Sequence, residues 1–192
     1  RFNCLYTIRG INEDVDKLLI EHDVPTVDAR KFLDKLRVNK SQKEIEIMKN
    51  SAELASQAHI LAMKNGNSGV SECHLQSIIE GYFLSNRSHW AYPSIVGGGD
   101  NATILHYSTN QDDILDGELV LIDAGCEING YASDITRTWP VNGKFSDAQR
   151  EIYEIVLKAE KAAIQACQVG APWESFHESA SRVLAQGLID LG

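Results

Sequence analysis

An α+β fold is what the order of hydrophobic patterns along this sequence predicts. Helix-type periodicity fills most of the chain up to about residue 86, short β-type runs separated by turn-formers occupy 91–141, and helix-type periodicity returns from 146 onward. Segregation of this kind differs from the strand–helix alternation of a doubly wound parallel sheet. The 192 residues are 43% hydrophobic and 23% charged, a globular rather than disordered balance. With 18 basic against 27 acidic residues the formal charge is −9, which argues against a nucleic-acid-binding face. No apolar run approaches the ~20 residues that a bilayer-spanning helix needs.

The chain opens on an apolar stretch, Phe2 to Ile8, read as a strand and followed by Gly10. Asn12 stands as a helix cap ahead of Val15, Leu18, Leu19 and His22, which share one face at i, i+3, i+4 and i+7. Pro25 interrupts the pattern, and a short helix from Asp28 leads into a basic linker near Val38-Asn39-Lys40. Ser41 with Glu44 forms a capping box, in which each side chain answers a backbone N–H that the first helical turn leaves free. It opens a long helix through Met63, ended by Asn65-Gly66. The next helix, about Ser71 to Asn86, presents Leu75, Ile78, Ile79, Tyr82 and Phe83 as its core stripe.

The β-type runs are Ala91–Val96, Thr103–Tyr107, Glu118–Ile128 and Tyr131–Val141. Ser146 with Gln149 makes a second capping box and starts a helix to about Cys167, and a last helix after Pro172 turns Phe176, Val183 and Leu184 inward. The thiols Cys4, Cys73, Cys126 and Cys167 are far apart, form no C-x-x-C pair and read as buried and reduced. Arg1 at the start, and an end at Leu191-Gly192 within a helical pattern, predict a piece of a longer chain.

The chemistry concentrates in residues 121–139. Asn129-Gly130 between two β runs is a strong signal for a two-residue type I′ hairpin. Ile128 then faces Tyr131, and counting outward sets Gly125 opposite Asp134, with Asp123 two residues beyond Gly125 on the same face. Both carboxylates therefore share one side of the hairpin, and the glycine is expected to leave space beside Asp134. Two bare carboxylates so placed repel, and a hard or borderline divalent cation relieves that repulsion. Spacing alone leaves two other readings open: a solvated pair neutralised by Arg137, or a glycosidase-type carboxylate pair.

Other candidates are weaker. Gly97-Gly98-Gly99 lacks the Lys-Ser/Thr and following helix of a phosphate cradle and reads as a tight loop. Ser94 and Ser108 lack a nucleophile elbow. His59 and His74 read as packing or surface residues of helices, and on spacing alone His106 would be a strand histidine. His177 belongs to no H-E-x-x-H motif, because residue 181 is Ser.

From about Ser41 onward the chain resembles the metallopeptidases of the pita-bread (creatinase/aminopeptidase) fold, and among them aminopeptidase P. The residues that carry this are Ala91-Tyr-Pro-Ser-Ile-Val-Gly-Gly-Gly99, Ile104-Leu-His-Tyr107, Asp116-Gly-Glu-Leu-Val-Leu-Ile-Asp-Ala-Gly-Cys-Glu127 and Gly130-Tyr-Ala-Ser-Asp-Ile-Thr-Arg-Thr-Trp-Pro-Val-Asn-Gly-Lys-Phe145, in the family's order and spacing. The nearest resemblance is to the mitochondrial members, which leaves a cytoplasmic location open as well. The resemblance implies that Asp123 and Asp134 bind metal, Asp134 bridging two Mn²⁺ ions, and that His106 and Tyr92 lie at the substrate. It implies cleavage of an N-terminal residue, typically ahead of proline, by a metal-activated hydroxide, with a role in trimming imported mitochondrial proteins. It further implies a peptide or protein N-terminus as partner, no nucleic acid or membrane, and a homodimer of the longer chain. Residues 1–38 match the tail of an amino-terminal domain and 39–192 the first half of the catalytic domain. The remaining His and two Glu ligands are therefore expected beyond residue 192, leaving this piece alone inactive. The competing class is a non-catalytic relative that binds peptides or serves as a scaffold.

Overall fold

The computed structural model describes residues 3–192. Phe2 of the expected first strand lies outside them, and the strand itself, β1, is Leu5–Thr7. Helix α1, Glu13–Glu21, starts where Asn12 Oδ1 accepts the amides of Asp14 and Val15. Of its apolar face only Leu19 is buried, while Val15 and Leu18 stay exposed. A strand absent from the sequence reading follows: β2, Thr26–Asp28, runs parallel to β1, and helix α2, Arg30–Val38, comes after it. Pro25 explains the change of course, since it cannot continue a helix, and its carbonyl accepts the Leu5 amide at 2.8 Å.

Both capping boxes form. Ser41 and Glu44 exchange backbone and side-chain hydrogen bonds at the start of α3, Gln42–Asn65, and Ser146 with Gln149 does the same at the start of α5, Asp147–Ala166. Helix α4, Glu72–Ser85, is capped by Ser71 and buries Leu75, Ile79 and Phe83 completely. Ile78 and Tyr82 pack at the margin of the same cluster. Helix α6, Ser175–Leu191, packs along α5, where Gly187 lets the helices approach closely. Phe176, Val183 and Leu184 are half-buried there.

Two small antiparallel sheets carry the middle of the chain. In the first, β3 (His89–Trp90) pairs with β6 (Cys126–Ile128), which pairs with β7 (Tyr131–Ala132). In the second, β4 (Ile95–Gly98) pairs with β5 (Leu119–Asp123), which pairs with β8 (Thr136–Pro140). The expected hairpin register holds through both: Ile128 faces Tyr131, Asp123 faces Thr136, and Leu119 faces Pro140. The core joins Ala55, Ala58 and Ala62 of α3 and Leu75, Ile79 and Phe83 of α4 with Val96, Val120, Ile122, Ala124 and Cys126, α3 lying along β6 and β7 of the first sheet and α4 along β4 of the second. Alanine on that face of α3 brings the helix close to the strands. Because β5 alternates, Val120 and Ile122 point into this core and Asp123 points to the opposite side.

The structure corrects three expectations. The expected strand Ala91–Val96 is strand only from Ile95: β3 ends at Trp90, residues 91–94 connect the two sheets, and Pro93 lacks the N–H a continuous ladder requires. Thr103–Tyr107 is no strand: Gly99–Thr103 forms a 3-10 turn, Ile104 and Tyr107 make further turns, and Leu105 is 86% exposed. The four thiols are unpaired, yet only Cys126 is buried, and Cys73 and Cys167 face solvent. Among the described residues no helix is long and apolar enough to cross a membrane.

Candidate metal centre

Where the ribbon passes from one sheet to the other, residues 124–126 and 133–135 come unusually close. A Cβ on Gly125 would stand 1.8 Å from the Ser133 carbonyl oxygen, so no side chain fits there. The expected space beside Asp134 is therefore filled by the backbone of Ser133, and the glycine serves a close approach of two chains. Hydrogen bonds lock the crossing: Ala124 N–H donates to Ile135 O at 3.1 Å, Ser133 N–H to Cys126 O at 2.8 Å, and Cys126 N–H to Ser133 Oγ at 3.0 Å.

Helix α3 holds the crossing from beneath. Ser51 Oγ donates to the Cys126 carbonyl at 2.8 Å, and His59 Nε2 donates to the Ala124 carbonyl at 3.0 Å. A carbonyl only accepts, so Nε2 carries the proton and Nδ1, buried without a partner, is bare. Burial holds the His59 imidazole below its ordinary range, against the opposing pull of the Ala124 carbonyl. The packing role expected for His59 thus becomes a specific one, fixing the peptide next to Asp123.

Tyr92 approaches from the β3–β4 connection, whose Ala91 amide is tied to the Gly125 carbonyl at 2.9 Å. Its hydroxyl stands 2.6 Å from Asp123 Oδ1 and 3.0 Å from Asp134 Oδ1. Those two carboxylate oxygens therefore lie at most about 6 Å apart, within reach of a shared divalent cation. Burial first, then the Asp123 carboxylate, push the Tyr92 phenol far above its ordinary value, so it remains a donor. One phenolic proton serves two carboxylates, and no cationic side chain pairs with either among the described residues. Arg137, the alternative partner, donates to the Thr136 carbonyl and reaches towards Glu160 instead.

Tyr92, Asp123 and Asp134 line one cleft of about 450 Å³ together with Pro93, Ile95, His106 and Ser108. All four residues singled out from the sequence therefore converge. His106 sits at the rim with left-handed backbone, φ 56°. The donor set, acidic oxygens with unbalanced charge, fits a hard or borderline divalent metal. It is a partial set, because no three His, Cys, Asp or Glu residues gather as a metal cage among the described residues. His177 lies on the exposed surface of α6 and takes no part. The sequence reading missed Ser51 as a clamp and the joint contact of Tyr92 with both carboxylates. The i, i+4 row Ser51-Ala55-His59, small residues ending in a histidine, was the available signal.

Comparison with known proteins agrees with this geometry. Residues 46–191 match the metallopeptidase family M24. The Xaa-Pro aminopeptidase of Haemophilus influenzae is 43% identical over 98% of this chain, which covers 45% of that protein. The mitochondrial intermediate cleaving peptidase 55 of Arabidopsis thaliana is 39% identical over 82% of the chain, covering 32% of its length. The solved structure of Pseudomonas aeruginosa aminopeptidase PepP superposes with a TM-score of 0.95 at 41% identity, over 99% of this chain and 46% of that one. The chain thus spans less than half the length of these relatives and covers about half of the pita-bread fold that they share. Sequence, fold and the placement of the carboxylate pair lead to one conclusion: the chain belongs to metallopeptidase family M24.

Proposed function

We propose that residues 39–192 supply one half of the active site of an Xaa-Pro aminopeptidase, which removes the N-terminal residue of a peptide ahead of proline, and that residues 1–38 close a preceding domain. The observation that carries this reading is the convergence of Asp123, Asp134, Tyr92 and His106 on one cleft in an M24 chain. Asp123 and Asp134 would hold divalent metal, Mn²⁺ in our reading, with further ligands contributed from outside these 192 residues. Bound there, the metal supplies Lewis acidity towards the peptide carbonyl and a water nucleophile at neutral pH.

The chain's own residues do the rest. Tyr92 orients the Asp123 carboxylate and keeps its proton at the phenolic oxygen. His106 offers an imidazole to the substrate backbone at the cleft rim, and Pro93 and Ile95 give the cleft an apolar wall. The intact acidic pair favours an enzyme over a peptide-binding scaffold that has lost its metals. The Arabidopsis relative favours trimming of imported mitochondrial proteins, and the bacterial relative a cytoplasmic peptidase, which cell fractionation would separate. A homodimer completes the reading, and sedimentation of the complete enzyme checks it.

Asp134→Asn in the complete enzyme is expected to abolish Mn²⁺-dependent cleavage of an Xaa-Pro peptide. Activity surviving with unchanged metal content would overturn the assignment.

A further inference from the structure

Glu72, the first residue of α4, is completely buried and takes no part in the cleft. Its carboxylate accepts four hydrogen bonds. Oε1 takes the Gly98 amide at 2.8 Å and Asn101 Nδ2 at 3.0 Å, and Oε2 takes the Tyr107 hydroxyl at 2.8 Å and the Asp112 amide at 3.1 Å. No ion pair neutralises it among the described residues. A buried carboxylate without a cation is a costly way to fill space, tolerated only where directed donors satisfy it.

All four donors belong to one segment, 98–112, and that segment carries His106. The left-handed φ of His106 is uncommon for a residue with a Cβ and needs neighbours to hold it. Tyr107, the next residue, is buried and fastened to Glu72. A second fastening lies one helical turn along α4. Gln76 accepts from Asn110 Nδ2 at 3.0 Å, while Asn110 also takes the Val96 amide and donates to the Ser94 carbonyl. The segment is thus pinned to α4 on both sides of His106 along the chain, at Gly98 and Asn101 before it and at Tyr107, Asn110 and Asp112 after it.

We propose that Glu72 is a positioning residue of the active site: its carboxylate fastens the 98–112 segment so that His106 is held in the cleft that it lines with Asp123 and Asp134. The inference rests on the reading of that cleft as the substrate site. Burial first, then Glu72, push the Tyr107 phenol up to about 12, so it donates throughout the neutral range.

Glu72→Gln isolates the effect. Whichever way the amide turns, its NH₂ meets a backbone N–H, that of Gly98 or that of Asp112, and one fastening is lost. In the metal-loaded complete enzyme, kcat/KM for an Xaa-Pro peptide is expected to fall about tenfold with metal content unchanged, as for a group misplaced by a fraction of an ångström. The loss should be nearly absent when the same change is made in a His106→Ala background, because the two residues act through one contact. Equal losses in both backgrounds, or no loss at all, would overturn the inference. No loss on His106→Ala alone would overturn the site reading beneath it. Should Glu72→Gln fail to fold by circular dichroism, Tyr107→Phe removes one donor only and is expected to give a smaller loss with the same dependence on His106.

Discussion

Replacing Gly125 by alanine puts the geometry of the crossing to a direct test. The backbone φ of Gly125 is negative, so alanine meets no conformational penalty there and the cost is purely steric. Its Cβ would stand 1.8 Å from Ser133 O, 2.5 Å from Ser133 C and 3.1 Å from Asp134 N. Non-bonded contacts sit near 3.5 Å, so the 133–134 backbone must retreat by more than about 1.5 Å. That retreat breaks the Ala124–Ile135, Ser133–Cys126 and Cys126–Ser133 hydrogen bonds, each worth about 1 kcal/mol, for a loss near 3 kcal/mol. With an m-value of about 2 kcal/mol/M, the urea midpoint should drop by roughly 1.5 M. The same shift moves the Asp134 carboxylate by about 1 Å, enough for a ~100-fold loss of the proposed peptidase activity in the complete protein. Gly130→Ala is the control: it has a φ of +83° but nothing within 4 Å, so about 1 kcal/mol of backbone strain and unchanged kcat are expected. If the two alanine variants melt at the same urea concentration and both retain activity, the close approach is not what holds Asp134 in place.

Three further outcomes follow from the same structure. The His59 pKa is depressed below its ordinary 6.5, so the unfolded chain takes up protons that the folded one refuses. Its contribution to stability is therefore present above pH 6.5 and is lost as the pH falls from there towards the lower folded value. Urea midpoints between pH 5 and 8 should show this slope, and His59→Gln should flatten it; parallel slopes would refute the assignment. The Glu44 carboxyl is held at about 2, first by the Tyr131 hydroxyl and then by Ser41, so its share of stability is present above its ordinary 4.5 and disappears as the pH falls towards 2. Tyr131→Phe should raise the Glu44 midpoint in an NMR titration, and an unmoved midpoint would show that the tyrosine is not the cause. Finally, the 192-residue chain should bind no stoichiometric Mn²⁺ in equilibrium dialysis at micromolar metal, since among the described residues no more than two candidate ligands converge; tight uptake of two ions would contradict the partial site.

How far such a site can be read in advance depends on whether its contacts are local. The hairpin register was legible because Asn129-Gly130 fixes a two-residue turn and the strand period of two then places every partner, out to Leu119 opposite Pro140. Both capping boxes were legible for the same reason, since Ser41 with Glu44 and Ser146 with Gln149 act within one helical turn. The 103–107 segment was misread because Thr, Ile, Leu and Tyr favour a strand in isolation, whereas its conformation is set by partners far away in sequence. Tyr107 reaches back 35 positions to Glu72 and Asn110 reaches 34 to Gln76. Gly125 was placed correctly and its purpose misjudged: a glycine opposite an aspartate looks like room for a ligand until the ribbon is seen to change sheets there.

The site residues themselves fall on either side of this division. Asp123 and Asp134 follow from counting along one hairpin, and β5 turns Asp123 away from the core simply because Val120 and Ile122 must face it. Tyr92 and His106 enter from separate segments whose courses depend on Pro93 and on the buried Glu72, so no periodicity announces them. On the proposed reading, the site places its charge by local pattern and its substrate contacts by tertiary clasps. Replacing either aspartate of the hairpin should therefore abolish metal binding outright, while changes to the clasps should weaken catalysis and leave the metal in place.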